Sequence, residues 1–186
     1  METQNNREMG LHIVPKNAGY EVRRRTPWLL FGVLAGVAMV FIAQGFEEQL
    51  SRRVELAFLI PVIVYISGSI GAETLALFVR ELALHSVHVK KLLFREVRVG
   101  LSLGFITGLP MSVFSYLAFR DLNLAFTVWL AMFLNGLVAV LLGILIPTTF
   151  MKLGRDPALG SDELTTALSD IVSILIYLAI AVLVLF

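Results

Sequence analysis

The chain reads as an all-α membrane protein with five membrane-spanning helices, and three observations predict it. Of its 186 residues 58% are hydrophobic and only 16% charged, too apolar a balance for an ordinary soluble domain. Five apolar runs, roughly 27–46, 54–79, 99–119, 124–149 and 165–186, each reach the ~20 residues a helix needs to cross a bilayer. Lys and Arg gather in alternate connections between them, as orientation in a membrane requires.

Residues 1–24 are polar and carry no period that would bury a core, so they form an arm, too short for a domain. Residues 25–186 make the membrane domain. The first run begins only at Pro27 and shows no small-residue cleavage site, so it is expected to stay as a helix and not to leave as a signal peptide. Gly32 and Gly36 in the first span, Gly100, Gly104 and Gly108 in the third, and Gly136, Ala139 and Gly143 in the fourth have the spacing of close helix contacts in lipid. The second span is less regular. Pro61 interrupts it, and Gly68 and Gly71 either loosen the helix to expose carbonyls or serve tight packing; the residues leave both readings open.

The arm holds Arg7, Lys16, Arg23, Arg24 and Arg25, the second-to-third connection holds Arg80, Lys90, Lys91, Arg95 and Arg98, and the fourth-to-fifth connection holds Lys152 and Arg155. The alternate connections hold only Arg52, Arg53 and Arg120. This bias predicts a cytoplasmic N-terminus and, after an odd number of spans, a C-terminus outside; the expected location is an inner membrane. A net charge of +1 with the basic residues at helix ends points to no nucleic-acid partner. The chain has no cysteine, which excludes disulfides and thiolate chemistry.

In the fifth span Thr166, Asp170, Ser173 and Tyr177 fall at i, i+4, i+7 and i+11 and make one polar stripe on an apolar helix. Such a stripe faces water or protein. An acid within a span is costly and marks an ion path, unless it is tied into an interhelical hydrogen bond. A second acid, Glu73, stands in the second span one turn after Ser69. Carboxylates with hydroxyls and carbonyls suit a hydrated Mg²⁺, which keeps several waters, whereas zinc or copper would call for His or Cys. One acid per subunit leaves a divalent ion unneutralised, and a two-fold axis through the site would supply the second, which is a reason to expect a symmetric pore.

Other groups fit plainer roles. His85 and His88 lie in a basic interfacial stretch, Glu96 has Arg95 and Arg98 for ion pairing, and Glu47, Glu48, Glu55 and Asp121 put acids at the outer ends, where they attract cations or are solvated. No nucleophile with a base partner, HExxH, P-loop or dinucleotide fingerprint occurs, so an enzyme is not expected.

From Arg25 onward the chain resembles the membrane domain of the MgtE family of magnesium channels. The stretches that carry the resemblance are Thr26 to Leu30; Phe46 and Glu47; Ser67 to Thr74 with Val79, Arg80 and Leu82 to Leu84; Leu134 and Asn135; Ile146 and Pro147; Lys152 to Gly154 and Asp156 to Ala158; and Thr166 with Asp170. The resemblance implies a five-helix domain forming a homodimer, with the pore on the two-fold axis between the second and fifth helices. It implies that Asp170 and its dimer mate hold a hydrated Mg²⁺, with the carbonyl and hydroxyl of Thr166 beside the path. The family's second-helix motif runs Gly, Gly, Asn, Ala, Gly, a polar residue and Gln; here Ser69 replaces Asn and Glu73 replaces Gln. The family also carries soluble N-terminal and CBS regulatory domains before the first helix, where this chain has the short arm, so regulation is expected to be absent or to come from a separate chain. The expected function is passive conduction of divalent cations, Mg²⁺ first, with Asp170, Thr166, Glu73, Ser69 and Ser173 as the candidate metal-site residues. A non-conducting regulatory subunit and a proton-coupled exchanger using Glu73 are the alternatives.

Overall fold

The structure is a computed structural model that describes residues 17–84, 89–154 and 160–186. These form six α-helices: α1 Ala18–Gly45, α2 Glu47–Arg52, α3 Glu55–Leu84, α4 Val89–Phe119, α5 Leu122–Lys152 and α6 Ser161–Leu185. All but α2 are long and apolar enough to cross a membrane.

Helix α1 starts at Ala18, before the run that opens at Pro27, so the last residues of the expected arm are helical. Asn17 caps it by accepting the Gly19 amide at 3.3 Å, and this local bond lets polar residues extend a helix whose apolar part alone reads as the span. Helix α3 runs unbroken through Pro61, Gly68 and Gly71, which decides for the packed reading of that span. Asp121 starts α5 by accepting the amides of Asn123 and Leu124 at 2.8 and 3.1 Å. Arg120 takes a left-handed turn at φ 56° just before it, making the α4–α5 connection short enough to lay the two helices antiparallel.

Helix α5 is the central element, with α3, α4 and α6 packed around it. Lipid supplies no hydrophobic drive between helices, so close backbone approach has to do the holding. A side-chain carbon on Gly104 would lie 2.7 Å from the Met132 carbonyl oxygen, and one on Gly143 would lie 2.8 Å from the Gly71 oxygen. Gly100 faces Gly136 in the same way. The pair expected in the first span behaves otherwise: nothing lies within 4 Å of such a carbon on Gly32 or Gly36. Helix α1 packs mainly against α6 at the rim of the bundle, with its Trp28 ring also against Phe150 of α5, and buries Ala35 instead. Leu56, Leu59 and Ile63 of α3, Val128 and Ala131 of α5, and Ile174 and Tyr177 of α6 fill one end of the core. Phe41 on α1 and Phe94, Ile106, Phe114 and Leu117 on α4 stay exposed, an arrangement that suits a lipid-facing surface.

At the end of the bundle where α3 and α5 begin, Arg53 reaches across the connections. Its Nε donates to Glu55 at 2.9 Å and its Nη2 to Asp121. Arg52 pairs with Glu48 at 2.6 Å. Glu48, Glu55 and Asp121, three of the acids expected at the outer ends, are therefore ion-paired.

Candidate functional site

The fifth-span stripe is the place to build from. Gly160, at φ 81°, turns the chain into α6, and the Trp28 ring stands where a side chain on it would project. The first turn of α6 then presents Asp162 and Glu163, followed by Thr166 and Asp170.

Two open clefts meet at Thr166 and Asp170. One, of about 230 Å³, lies between α1 and α6, with Trp28, Leu29, Gly32, Ala35 and Met39 on one wall and Asp162, Glu163, Thr166, Ala167 and Asp170 on the other. The second, of about 390 Å³, runs along α3 past Pro61, Val64, Tyr65, Gly68, Ser69 and Ala72 and ends on the same Thr166 and Asp170. Asp170 is half-buried on the ridge between them, and among the described residues its carboxylate has no hydrogen bond or ion pair. Its Oδ1 sits over Gly68, 3.2 Å from where a side-chain carbon would be. An acid in that position is not the tied interhelical acid that the sequence left open. It is available to a cation.

The other expected residues separate. Ser69 is exposed on the α3 cleft, its hydroxyl donating to the Tyr65 carbonyl at 2.8 Å so that its lone pairs stay free. Glu73, one turn further, is exposed on that face of α3 but lines neither cleft, and among the described residues it makes no ion pair with Arg80. Ser173 is turned into the helix contact: it is 1% exposed and donates to Ser67 Oγ at 2.6 Å. Tyr177 is buried with its hydroxyl on the Leu56 carbonyl at 3.2 Å. The stripe is real as a period, yet α3 crosses over its far half and leaves only Thr166 and Asp170 open. Glu96 pairs with Arg95 at 3.0 Å. His85, His88 and the stretch 155–159 lie outside the described residues.

Asp162 and Glu163 were not among the expected site residues. Their signal was present, since Asp162 precedes Thr166 by four and continues the same stripe one turn back. It went unread because those acids precede the apolar run. Asn135 was visible only as part of a resembling fragment, and the structure seats it at 2% exposure against α6.

Residues 60–180 match the sequence model of the MgtE family, described as divalent cation transporter. The chain belongs to the MgtE family. It is 34% identical over 161 residues to the magnesium transporter MgtE of Bacillus subtilis, covering 85% of this chain and 36% of that protein. The magnesium transporter MgtE of Enterococcus faecalis is 34% identical over 171 residues, 90% of this chain and 38% of the relative. That of Thermus thermophilus is 34% identical over 160 residues, 84% and 35%. The chain thus spans little more than a third of the length of these MgtE relatives. Membership of the MgtE family together with five apolar helices makes it a multi-pass membrane protein.

Proposed function

We propose that this protein is a channel for divalent cations, with Mg²⁺ its substrate, and that it works as a homodimer whose two-fold axis brings two copies of Asp170 to one path between α3 and α6. The observation that carries this reading is the Asp170 carboxylate, without a partner among the described residues, where two open clefts meet. Two such carboxylates balance a divalent charge. Mg²⁺ gives up its waters reluctantly, so carboxylates, the Thr166 hydroxyl and carbonyl, and Ser69 act on a hydrated ion, through its water shell. Asp162 and Glu163, in the first turn of α6, line the α1–α6 cleft that also ends on Asp170, where they concentrate cations. The relatives named as magnesium transporters support Mg²⁺ as the ion.

Passive flow needs no energised domain in this reading. Two charges crossing the full potential gain about 4.6 kcal/mol per 100 mV, twice the single-charge value. The N-terminus and the α5–α6 connection face the cytoplasm of an inner membrane, and Phe186 faces outward. A second reading, proton-coupled exchange, is favoured by one observation, the exposed Glu73, without an ion-pair partner among the described residues, on the α3 face that carries Ser69. Flux into liposomes holding only the purified protein, with Mg²⁺, Co²⁺, Mn²⁺, Ca²⁺ and Na⁺ in turn, tests the proposal. Divalent flux that is indifferent to a pH gradient supports the channel, flux driven by that gradient supports exchange, and no flux removes both.

A further inference from the structure

Behind the Asp170 ridge, three buried polar side chains join α3, α5 and α6 at one height. Ser173 follows Asp170 by three residues and donates to Ser67 Oγ at 2.6 Å. Ser67 is the residue before Gly68, over which Asp170 sits. From α5, Asn135 donates through Nδ2 to the Ser173 backbone carbonyl at 3.4 Å. All three are at most 2% exposed.

These bonds are a poor device for stability. Buried polar groups lose their hydration, and the net gain of each bond is small. Asn135 is worse placed than most, because its Oδ1 has no partner among the described residues; an unpaired buried acceptor costs about 1–3 kcal/mol. A leucine of similar shape would remove that cost. What a hydrogen-bonded chain supplies and an apolar contact does not is direction, a fixed rotation and height of one helix against the next.

We propose that Asn135 is a positioning residue for the ion path: its bond to the Ser173 carbonyl holds α6 on α5, the Ser173 to Ser67 bond carries that position to α3, and together they set the gap between the Asp170 carboxylate and Gly68. This rests on the channel reading of Asp170. The gap matters because Mg²⁺ holds a rigid octahedral shell at 2.0–2.1 Å while Ca²⁺ accepts more ligands at 2.3–2.6 Å in flexible geometry. A site that discriminates between them must be held to within about 0.5 Å by its supporting residues.

The test uses the whole chain in liposomes and reads the ratio of Mg²⁺ to Ca²⁺ flux. Asn135→Leu should lower that ratio at least fivefold while the melting temperature stays level or rises. The chain has no cysteine, so Ser67→Cys with Ser173→Cys gives a lock at the hydroxyl pair. Added to Asn135→Leu and oxidised, it should return the ratio to within twofold of the parent, and reduction should undo the rescue. An unchanged ratio in Asn135→Leu overturns the inference, and so does a lowered ratio that the lock fails to restore. Should Asn135→Leu not fold, Ser67→Ala, which removes only the acceptor, is read in its place with the same expectation. The Mg²⁺-dependent rise in melting temperature reports binding without flux, and its half-saturating concentration should rise at least fivefold in the variant. Parent protein with neither flux nor a Mg²⁺-dependent shift overturns the channel reading and the inference together. Parent protein with either signal, unchanged by the variant, overturns the inference alone.

Discussion

The Asp170 carboxylate rests on Gly68: Oδ1 lies 3.2 Å from the position a side-chain carbon would take there. This is a steric relationship and no bond. A side-chain carbon there would require the carboxylate to give by a few tenths of an ångström, and the glycine that leaves this room costs up to about 1 kcal/mol against alanine in a helix interior.

Asp170→Asn should lower divalent flux at least tenfold without lowering the melting temperature, since it removes an unpaired half-buried charge and keeps the shape. Gly68→Ala should lower flux less than Asp170→Asn does, since the carboxylate has to give by only a few tenths of an ångström. Liposome flux beside thermal unfolding checks both. Parental flux in Asp170→Asn removes that residue from the path.

Glu73→Gln should preserve conduction and change the ranking of cations or its pH dependence, because the carboxylate is exposed beside the α3 cleft and has no ion-pair partner among the described residues. Relative flux of two divalent ions across a pH series is the measurement. The same ranking at every pH would take Glu73 out of the selectivity argument.

Gly136→Ala should destabilise the fold by about 1–3 kcal/mol, the usual cost of overpacking, because the added carbon would meet the backbone of Gly100 and Gly104. Gly36→Ala should be neutral or stabilising, since that position is open and alanine favours helix by up to about 1 kcal/mol. Equal losses in denaturant unfolding for the two would contradict the close approach of Gly136 to Gly100 and Gly104.

The Arg53 to Asp121 pair predicts an acid-sensitive element at the end of the bundle where α3 and α5 begin. The hydrogen bond from Arg53 holds the Asp121 carboxyl below its ordinary value, with the Leu124 and Asn123 amides adding to it against partial burial. With the folded value depressed, the pair's contribution is complete above the unfolded value of about 3.9 and is lost as pH falls through the folded value. From pH 7 to 5 the melting temperature should owe no slope to this pair. Below about pH 4 the parent should lose stability that Asp121→Asn, which keeps a helix cap, does not lose. Parallel acid profiles for the two proteins would rule the pair out.

Orientation is testable by single-cysteine labelling. A Cys at Asn17 should react with an impermeant reagent only from the cytoplasmic side, and one at Gln49 only from outside. Labelling of the Asn17 position from outside would reverse the topology.

The number of spans and the place of Asp170 were legible in the sequence because both are local. A run's length and apolarity do not depend on neighbours, and a 3.6-residue period assigns each polar residue to a face wherever the helix is put. Only the tertiary structure decided what covers that face. Ser173 and Tyr177 share a stripe with Thr166 and Asp170, but α3 lies across the first pair and not the second, so two are helix contacts and two line the clefts. The glycines divide for the same reason. Gly104 and Gly143 have the spacing of Gly32 and Gly36, yet the first two meet another backbone and the last two meet open space. Asn135 was unreadable alone, since an amide in an apolar run acquires its meaning from the carbonyl it faces, and Ser173 stands 38 residues away. Periodicity orients a side chain, and packing alone determines whether it meets a neighbouring helix or an open cleft.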